Sequence, residues 1–594
     1  MLDSHFPTRI NIPMNGWTGK ILKINLTEKT TSTVIPQMDV YKKFIGGKGL
    51  AGYYLKPCIT NEYNHSEMSL IFMTGPLVDT PSPTSGRMVI MSRSPLTGTI
   101  GDTSVGGKFA TQLKRAGWDG VIIQGKSSSL MGIDIIDDVV TFHDAAFLQG
   151  KTVSDTVYEL RSDSASAVIG PAAENGVRFA NIAVDEHFFS GRNGLGLVMA
   201  EKQLKYVTVK GTGNTTIFNK DILMSAREEI FRLASASPIL KGELGISNFG
   251  TGALFDLIHS RRMMPTNNFK ETYFTNAQKL NAYQYKVAYN TKKTGCFGCH
   301  ILCKKKGEDD KILPEFETMS HFSALLRNSN IDIVKEANLL CNDLGMDTIS
   351  AAATLACYSE IRDITLKPEK ILSLLNDIAY SQNEGAALKE GSFRYAESEN
   401  KVEASITVKK LELPAYDPRG AYGMALAYCT STRGGCHLRS YPISHEILRK
   451  PVATDRFSFS GKARIIKLTE DINSMIDSLT ACKFLFFAAT LEEYAKALYG
   501  ATGMMSSSQE LMKIGERIYY NERIMNTLNG FSSDEDILPE RFFTEAGSSG
   551  DGIDIPPIDK NDFLETRNNY YIVRGLDENG LPLKNKCEEL ELNF

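Results

Sequence analysis

The first third of the chain alternates apolar and polar residues over short stretches. In residues 20–26, Leu22, Ile24 and Leu26 fall at every second position, which places them on one face of a strand. A polar turn follows, and residues 31–35 predict a second strand. Further strands are predicted for residues 70–73, 88–92, 121–124 and 133–136, and loops rich in glycine, proline, serine and threonine for residues 46–49, 80–86, 101–107 and 191–196.

Beyond about residue 211, apolar residues recur every three to four positions, as they do on one face of an amphipathic helix. Helices are predicted for residues 221–233, 331–340, 348–361, 368–380, 462–476, 484–498 and 507–523. A β-rich region followed by helices is typical of an α+β fold, not of alternating strand–helix–strand units. We therefore expect a β-rich N-terminal domain at residues 1–211 and two mainly helical domains at residues 212–409 and 410–594.

Composition restricts the partners and the compartment. The 594 residues carry a formal net charge of -4, so we expect no overall basic surface for nucleic acid or an anionic membrane. No apolar run approaches the ~20 residues of a membrane-spanning helix, and residues 1–20 lack the apolar core of a secretory signal. The sequence thus predicts a cytoplasmic protein without a membrane span, whose 10 cysteines are reduced thiols.

Three cysteines form one cluster in the sequence. Cys296, Cys299 and Cys303 have the spacing C-x2-C-x3-C, so their thiolates can converge on one metal centre. A [4Fe–4S] cluster takes four cysteines, and a distant fourth ligand is therefore expected. A structural zinc site and three uncoordinated cysteines are the alternatives, although zinc usually binds two C-x2-C pairs or cysteine–histidine pairs. His300, inside the run, is poorly placed to bind the same metal.

Two short polar segments, residues 342–347 and 477–482, each lie between two predicted helices. Each begins with a polar residue, has leucine third, and ends with a polar residue or a thiol. Asp347 is placed to cap the helix that follows it. Two such turns can approach one extended ligand from two sides, but two unrelated loops with helix caps would show the same pattern.

Read along its length, the chain resembles the aldehyde ferredoxin oxidoreductase family, whose members are tungstopterin enzymes. The motifs that carry the resemblance are, in order, residues 16–22, 44–50, 75–77, 94–98, 169–171, 191–196, 314–318, 417–420, 433–439 and 574–580. Many motifs in one order are more specific than any single motif. The resemblance implies that the β-rich N-terminal domain forms the base of a pterin site.

The resemblance also implies a set of cofactor ligands. Cys482 would be the fourth ligand of a [4Fe–4S] cluster. The two polar segments would hold the two pterins of a tungsten or molybdenum bis-pyranopterin, and glycine-rich turns with free N–H groups would hold its phosphates with a bridging Mg²⁺. The residues implied in these roles are Arg87, Ser104, Gly106, Gly107, Arg192, Asn193, Gly194, Asn342, Asp347, Asp477 and Ala481.

Some positions depart from the family pattern. Asn342 stands where an aspartate is frequent, which keeps a hydrogen-bond acceptor and loses a charge. Thr480 and Ala481 replace Gly-Leu, and a β-branched residue such as Thr480 disfavours positive φ. Ser104 replaces an asparagine near the bridging cation. Glu336 is implied either as a pterin ligand or near a subunit interface, with a solvated helix face as an equal alternative.

By family position, Glu317 and His437 are expected to be catalytic. Glu317 would remove a proton, and His437 would act as an acid or hydrogen-bond donor. Burial can raise the pKa of a glutamate towards neutrality. Without the resemblance, Glu315 and Glu317 are better explained as solvated charges, and His437 as a structural or solvated residue of a loop.

The resemblance implies an oxidoreductase that interconverts a small aldehyde and a carboxylic acid. Electrons would pass through the cluster to a ferredoxin or a dedicated iron–sulfur subunit, and a homodimer fits the family. Two other functions remain open at this point. The same cofactors could serve 2-hydroxy acid oxidation or aromatic acyl-CoA reduction, or the chain could be a non-catalytic pterin-binding or assembly protein. The four cysteines, Glu317 and His437 argue against the last.

Overall fold

The computed structural model describes residues 14–160 and 163–594. The segment 1–20, considered above as a possible secretory signal, lies mostly outside the described residues. None of the helices in the described ranges is long and apolar enough to cross a bilayer. Two six-stranded sheets precede a region that is mostly helical, which confirms the predicted α+β fold.

The first sheet has the strand order β2-β1-β6-β3-β4-β5. Its strands are β1 (Ile21–Asn25), β2 (Thr30–Val34), β3 (Leu70–Met73), β4 (Met88–Arg93), β5 (Ile100–Val105) and β6 (Gly120–Gln124). β1 and β6 pair in parallel, and the other neighbours are antiparallel. Leu70 and Phe72 enter one hydrophobic core, and Ile71 and Met73 enter another. Because side chains alternate at period two, the sheet is buried on both faces.

The second sheet has the order β11-β10-β9-β12-β7-β8. Its strands are β7 (Met131–Ile136), β8 (Val139–Asp144), β9 (Ala165–Ile169), β10 (Ile182–Val184), β11 (Phe188–Phe189) and β12 (Leu204–Lys210). β7 and β12 are parallel, and the other neighbours are antiparallel. Two further ribbons pair β13 (Lys292–Thr294) with β14 (Lys304–Lys306), and β15 (Thr407–Val408) with β16 (Leu411–Glu412).

Two predicted glycine-rich loops are wrong. Gly47 begins a helix where a loop was predicted at residues 46–49, and β5 occupies most of the loop predicted at 101–107. Gly47 has φ +38, and a Cβ there would lie 2.2 Å from the carbonyl oxygen of Asp477. Only glycine fits at position 47, because the backbones of Gly47 and Asp477 approach each other too closely for a Cβ atom.

The helices account for most of the remaining chain. They are α1 (Met38–Phe44), α2 (Gly47–Leu55), α3 (Phe109–Arg115), α4 (Val153–Leu160), α5 (Pro171–Glu174), α6 (Leu195–Glu201), α7 (Lys220–Ala236), α8 (Pro238–Lys241), α9 (Ile246–Phe249), α10 (Phe255–Ser260), α11 (Ala282–Tyr289), α12 (Phe316–Ser320), α13 (Ile331–Leu344), α14 (Thr348–Ile361), α15 (Pro368–Ala379), α16 (Gly385–Leu388), α17 (Ser392–Ser398), α18 (Tyr422–Thr430), α19 (Ile443–Glu446), α20 (Lys462–Leu479), α21 (Leu491–Thr502), α22 (Ser508–Leu528), α23 (Arg541–Thr544), α24 (Lys560–Arg574) and α25 (Lys584–Glu589). The helix predicted at 484–498 is wrong in its first half, because Lys483–Phe487 forms a 3-10 turn. Thr490 then starts α21 with a capping box.

Two large hydrophobic cores share the first sheet. One joins it to the second sheet and to α13 through α17, and the other joins it to α20, α21 and α22. Because burial of apolar surface is the main stabilising term in folding, the sheet holds both helical groups in one body. The domain boundaries at 211/212 and 409/410 stay a prediction.

Candidate active site

A cavity of about 960 Å³ lies between the first sheet and the helices of both groups. It contains all four cysteines singled out in the sequence, together with Glu317 and His437. Seven of the twelve predicted cofactor residues also line it: Arg87, Ser104, Gly106, Arg192, Asn342, Asp347 and Asp477. The cavity is therefore the place where the predicted chemistry can be tested against geometry.

The ribbon of β13 and β14 carries the cysteine run in the loop that connects its strands. Arg87 approaches this loop, with its Nη1 3.7 Å from the Sγ of Cys296. Burial, opposed by Arg87 and assisted by Cys299 and Cys296, raises the pKa of the Cys482 thiol to about 11. Cys482 lines the same cavity as Cys296, Cys299 and Cys303.

The four thiols do not converge on one point. Within the described ranges, no three histidine, cysteine, aspartate or glutamate side chains are arranged to hold a single metal ion. A tetrahedral zinc site needs such convergence, whereas an iron–sulfur cluster takes its thiolates on several iron atoms.

The two polar segments both begin in the last turn of a helix. Asn342 lies in α13, which ends with Gly345 in the left-handed region. Asp347 caps α14, as predicted, and accepts hydrogen bonds from the N–H groups of Ile349 and Ser350. In the second segment, Asp477 is still helical, and Thr480 ends α20 at φ 57. The predicted turn at 477–482 is thus shorter than expected.

Asp477 belongs to a buried network of charges. Lys483 Nζ lies 2.7 Å from its Oδ2, and Arg439 Nη1 lies 3.6 Å from the same oxygen. Arg439 also pairs with Asp102 at 2.9 Å. Burial opposes ionisation of Asp102, but Arg439 and Lys48 outweigh it and hold its pKa well below the usual range. The network fixes Asp477 at the cavity wall.

Several buried polar atoms at the cavity wall have no hydrogen-bond partner among the described residues. They are Thr84 Oγ1, Asn181 Oδ1, Arg192 Nε, Glu317 Oε1, His437 Nδ1, Arg439 Nε and Asp477 Oδ1. An unsatisfied buried polar group is costly, and one cavity that collects seven of them is suited to a polar ligand. Arg192 is held by the backbone oxygens of Gly435, at 2.6 Å, and of Glu412.

The predicted phosphate-binding residues divide into two groups. Ser104, Gly106 and Arg192 line the cavity, whereas Gly107, Asn193 and Gly194 are not among its lining residues. Ser104 Oγ accepts a hydrogen bond of 2.9 Å from Arg87 Nε. Gly106 allows close approach, since a Cβ there would lie 2.3 Å from Cys296 Sγ.

Besides Asn193, two further predicted residues, Ala481 and Glu336, do not line the cavity. Asn193 Nδ2 donates to the Arg433 carbonyl at 3.1 Å, and Ala481 N–H donates to Ile476. Glu336 is exposed on α13 and does not line the cavity, which matches its alternative as a solvated residue. Asn338, two positions further on, lines the cavity instead.

Glu317 and His437 lie next to each other in the cavity wall. Glu317 lies on α12, and its Oε2 accepts a hydrogen bond of 2.8 Å from the N–H of Ala415. Its Oε1 lies 3.6 Å from His437 Nε2. Burial raises the pKa of Glu317 to about 8. Burial, with Arg192 and Arg433, lowers the pKa of His437 well below its ordinary value, so the imidazole is neutral.

Glu315 is in a different environment. Its side chain is 44% exposed and pairs with Lys304 at 3.3 Å. Of the two glutamates that the sequence left open, Glu317 is therefore the one held against a histidine. A π-helical turn, His321–Leu325, follows α12 directly. Such turns are frequent at functional sites.

An aromatic wall continues from His437. The ring of Tyr416 lies 5.5 Å from that of His437, and its hydroxyl lies 3.0 Å from the hydroxyl of Tyr441. Tyr441 contacts Phe487 at 6.1 Å between ring centroids. Leu468, also in the lining, is 39% exposed, so the cavity reaches the surface on this side. The wall provides an apolar path to the Glu317 carboxylate.

Comparisons with known families identify the family of this chain. The N-terminal domain of aldehyde ferredoxin oxidoreductase matches residues 21–211, and domains 2 and 3 of the same enzyme match residues 225–592. The chain belongs to the aldehyde ferredoxin oxidoreductase family and is an oxidoreductase, which confirms the resemblance seen in the motifs.

Individual relatives extend over nearly the whole chain. The tungsten-containing aldehyde ferredoxin oxidoreductases of Thermococcus kodakarensis and Pyrococcus furiosus are each 34% identical to it, over 97% of this chain and 99% of theirs. The WOR-like subunit of an aliphatic sulfonate oxidoreductase from Pyrococcus furiosus is 26% identical over 97% of both chains. A solved structure of the BamBC active-site complex of benzoyl-coenzyme A reductase with 1,5-dienoyl-CoA has the same fold, with a TM-score of 0.83 at 20% identity over 98% of this chain and 97% of that one.

Proposed function

We propose that this oxidoreductase interconverts an aldehyde and a carboxylic acid at a tungsten or molybdenum bis-pyranopterin, and passes electrons through a [4Fe–4S] cluster. One arrangement carries this function: Glu317 faces His437 in the same cavity as the four cysteines. The names of the 34% identical relatives, which specify tungsten and aldehydes, support the metal and the substrate class.

The side chains present fit both groups. Cys296, Cys299, Cys303 and Cys482 would supply the four thiolates of the cluster. The unpaired atoms of Arg192, Asn181, Arg439 and Asp477 would form hydrogen bonds with the pterins, beside Asn342 and Asp347. Backbone N–H groups around Gly106 would hold the phosphates, with Mg²⁺ near Ser104, whereas Gly107, Asn193 and Gly194 do not line the cavity.

When bound, a tungstopterin supplies two-electron redox chemistry, and an iron–sulfur cluster passes the electrons on singly. Glu317 takes the proton that is released as water adds to the aldehyde carbon, because its pKa of about 8 makes it a stronger base than an ordinary glutamate. Ala415 holds one carboxylate oxygen and leaves the other free for this transfer. Neutral His437 donates an N–H to a substrate oxygen.

The electron acceptor is a ferredoxin or a dedicated iron–sulfur subunit, as the family name indicates. We place the enzyme in the cytoplasm and expect a homodimer. Sedimentation of the purified protein would check the dimer, since a monomer at micromolar concentration contradicts it.

A substrate panel tests the proposed reaction. Anaerobically purified enzyme is assayed for viologen reduction with aldehydes, 2-hydroxy acids and aryl thioesters. We expect reduction with aldehydes. Activity only with hydroxy acids or thioesters would assign the same cofactors to another reaction. No activity, together with the absence of tungsten and molybdenum, would favour a non-catalytic pterin-binding protein.

A further inference from the structure

The cysteine run is carried by an unusually basic ribbon. β13 and β14 place Lys292 opposite Lys306 and Lys293 opposite Lys305. Like charges directly opposite each other destabilise an antiparallel pair. Lys292 and Lys293 are also exposed. The ribbon would fold better with fewer lysines, so their concentration here points to a role beyond folding.

Basic side chains from α7 and α8 continue the ribbon around the cluster loop. Lys241 Nζ donates a hydrogen bond of 2.6 Å to the carbonyl of His300. Arg227 stacks on the ring of Phe231 at 4.4 Å, and Phe231 packs edge-on against His300 at 4.2 Å. Arg227 and Lys241 therefore place positive charge around His300, which follows Cys299 in the chain.

The positive charge extends to α9 and α11. Lys293 Nζ donates to Asn248 on α9 at 2.7 Å, and Lys286 of α11 lies over the ring of Phe249 at 5.0 Å. These contacts join the helices to the ribbon as one surface. We call it the basic face, which comprises Arg227, Lys241, Lys286, Lys292 and Lys293.

The charges of the basic face are largely uncompensated. In the part of the chain that the structure describes, none of its five side chains forms a salt bridge, whereas the neighbouring Lys304 pairs with Glu315. Acidic residues follow β14 at the other end of the ribbon, and one of them, Asp309, is paired with Lys335 at 2.8 Å. A positive face on a chain of net charge -4 is a local feature.

Exposed apolar residues accompany the basic face. Tyr283 and Val287 flank Lys286 on the outer side of α11 and are 59% and 64% exposed. Leu244, three positions after Lys241, is 77% exposed, and Phe297, between two cluster cysteines, is 49% exposed. Exposed aromatic and aliphatic side chains within a charged surround are typical of protein interfaces.

We propose that the basic face docks an acidic one-electron carrier, a small iron–sulfur protein of the ferredoxin type. This rests on the cluster assignment of the proposed function. Electron transfer slows steeply with distance, and the exposed Phe297 and Gly298 leave little protein between a docked partner and Cys296. Complementary charge would steer the carrier to this face and set its orientation.

Binding of an oxidised, acidic ferredoxin to the holoenzyme tests the basic face without any substrate. Calorimetry at low ionic strength should give a Kd about tenfold or more higher for Lys292→Glu combined with Lys293→Glu. The difference should shrink as salt is added, because salt screens exposed charges. The new carboxylates would face Lys306 and Lys305, so the double variant should fold at least as well as the wild type.

A matched control changes the net charge by the same amount elsewhere. Lys42 on α1 and Lys584 on α25 are exposed, and Lys42→Glu combined with Lys584→Glu should leave the Kd unchanged. Three results would contradict the docking proposal. They are an equal rise in the Kd of the control variant, an unchanged Kd in the ribbon variant, and a wild type that does not bind ferredoxin.

Viologen reduction by the same preparations separates this test from the proposed function. The ribbon variant should retain its iron content and its aldehyde-dependent viologen reduction. A wild type that binds ferredoxin through the basic face but oxidises no aldehyde would contradict the proposed reaction and still support the docking surface.

Discussion

The imidazole of His437 lies 3.6 Å from Glu317, measured from Nε2 to Oε1. The other carboxylate oxygen of Glu317 is fixed by the N–H of Ala415. One oxygen is thus anchored and the other faces a histidine that burial keeps neutral. In the proposed reaction, this pair would supply a base and a hydrogen-bond donor to the same substrate.

Replacing Glu317 by glutamine should stop turnover and leave the cofactors bound. The amide keeps the shape of the side chain but takes up no proton, so kcat should fall by about 10²- to 10⁴-fold. Aldehyde-dependent viologen reduction and metal content are the measurements. Glu315→Gln is the control, because Glu315 pairs with Lys304 instead of a histidine. Unchanged turnover in Glu317→Gln would remove its role as the base.

The rate of aldehyde oxidation should depend on pH through Glu317. The carboxylate form is the base, and burial raises its pKa to about 8. kcat/KM for an aldehyde should therefore increase with pH and level off above about 8. The residual activity of Glu317→Gln should lack this step. A wild-type profile that is already level at pH 6 would contradict the assignment.

The raised pKa of Glu317 also predicts how stability depends on pH. In the folded protein, the pKa of Glu317 lies above its ordinary value of 4.5. Between pH 4.5 and about pH 8, the folded protein therefore keeps a proton that the unfolded protein has released. The unfolded state binds fewer protons in this window, and the contribution of Glu317 to stability is lost as the pH rises. Tm of the wild type relative to Glu317→Gln should fall from pH 5 to pH 8. A constant difference would argue against the raised pKa.

Cys482→Ala should lose the iron–sulfur cluster. Cys482 is the one predicted ligand outside the C-x2-C-x3-C run, and it lines the same cavity as the other three. Iron content and the visible absorption of the purified variant are the readouts. Cys587→Ala, at a buried cysteine on α25, is the control and should keep its iron. A normal iron count in Cys482→Ala would mean that another residue is the fourth ligand.

Arg87 should raise the reduction potential of the cluster. Its guanidinium approaches Cys296 at 3.7 Å, and a positive charge favours the reduced cluster, which carries one more negative charge. Arg87→Gln should therefore lower the potential measured by redox titration. Arg394→Gln, whose side chain bonds the carbonyl of Leu96 away from the cavity, should leave it unchanged. A potential that rises in Arg87→Gln would contradict the electrostatic account.

Tyr441 should favour aromatic substrates. Its ring contacts Phe487, and its hydroxyl meets that of Tyr416 at 3.0 Å. Ring–ring contacts contribute about 0.5–1.5 kcal/mol, so Tyr441→Ala should reduce kcat/KM for benzaldehyde by up to about tenfold. Acetaldehyde, which has no ring, should be affected less. Equal losses for both aldehydes would show that Tyr441 only supports the fold.

Local patterns in the sequence predict a substantial part of this structure. The period-two alternation of Leu22, Ile24 and Leu26 predicts β1, and Asp347 caps α14 because its carboxylate accepts nearby N–H groups. The spacing of the cysteine run likewise predicts three thiols in one loop. Each of these features depends on residues that are close together in the chain.

Other features depend on residues that are distant in the chain. Asn181 and Asn338 reach one cavity from two separate regions, and neither of them lies in a pattern that reveals this. Thr480 adopts φ 57 although a β-branched residue disfavours it, because α20 ends there against Gly47. Only tertiary packing decides such positions.

Elemental analysis of anaerobically purified protein tests the central claim most directly, namely that one cavity holds an iron–sulfur cluster beside a tungsten or molybdenum pterin. The expected result is about four iron atoms and about one tungsten or molybdenum atom per chain. Zinc in place of iron, or iron with neither tungsten nor molybdenum, would contradict it.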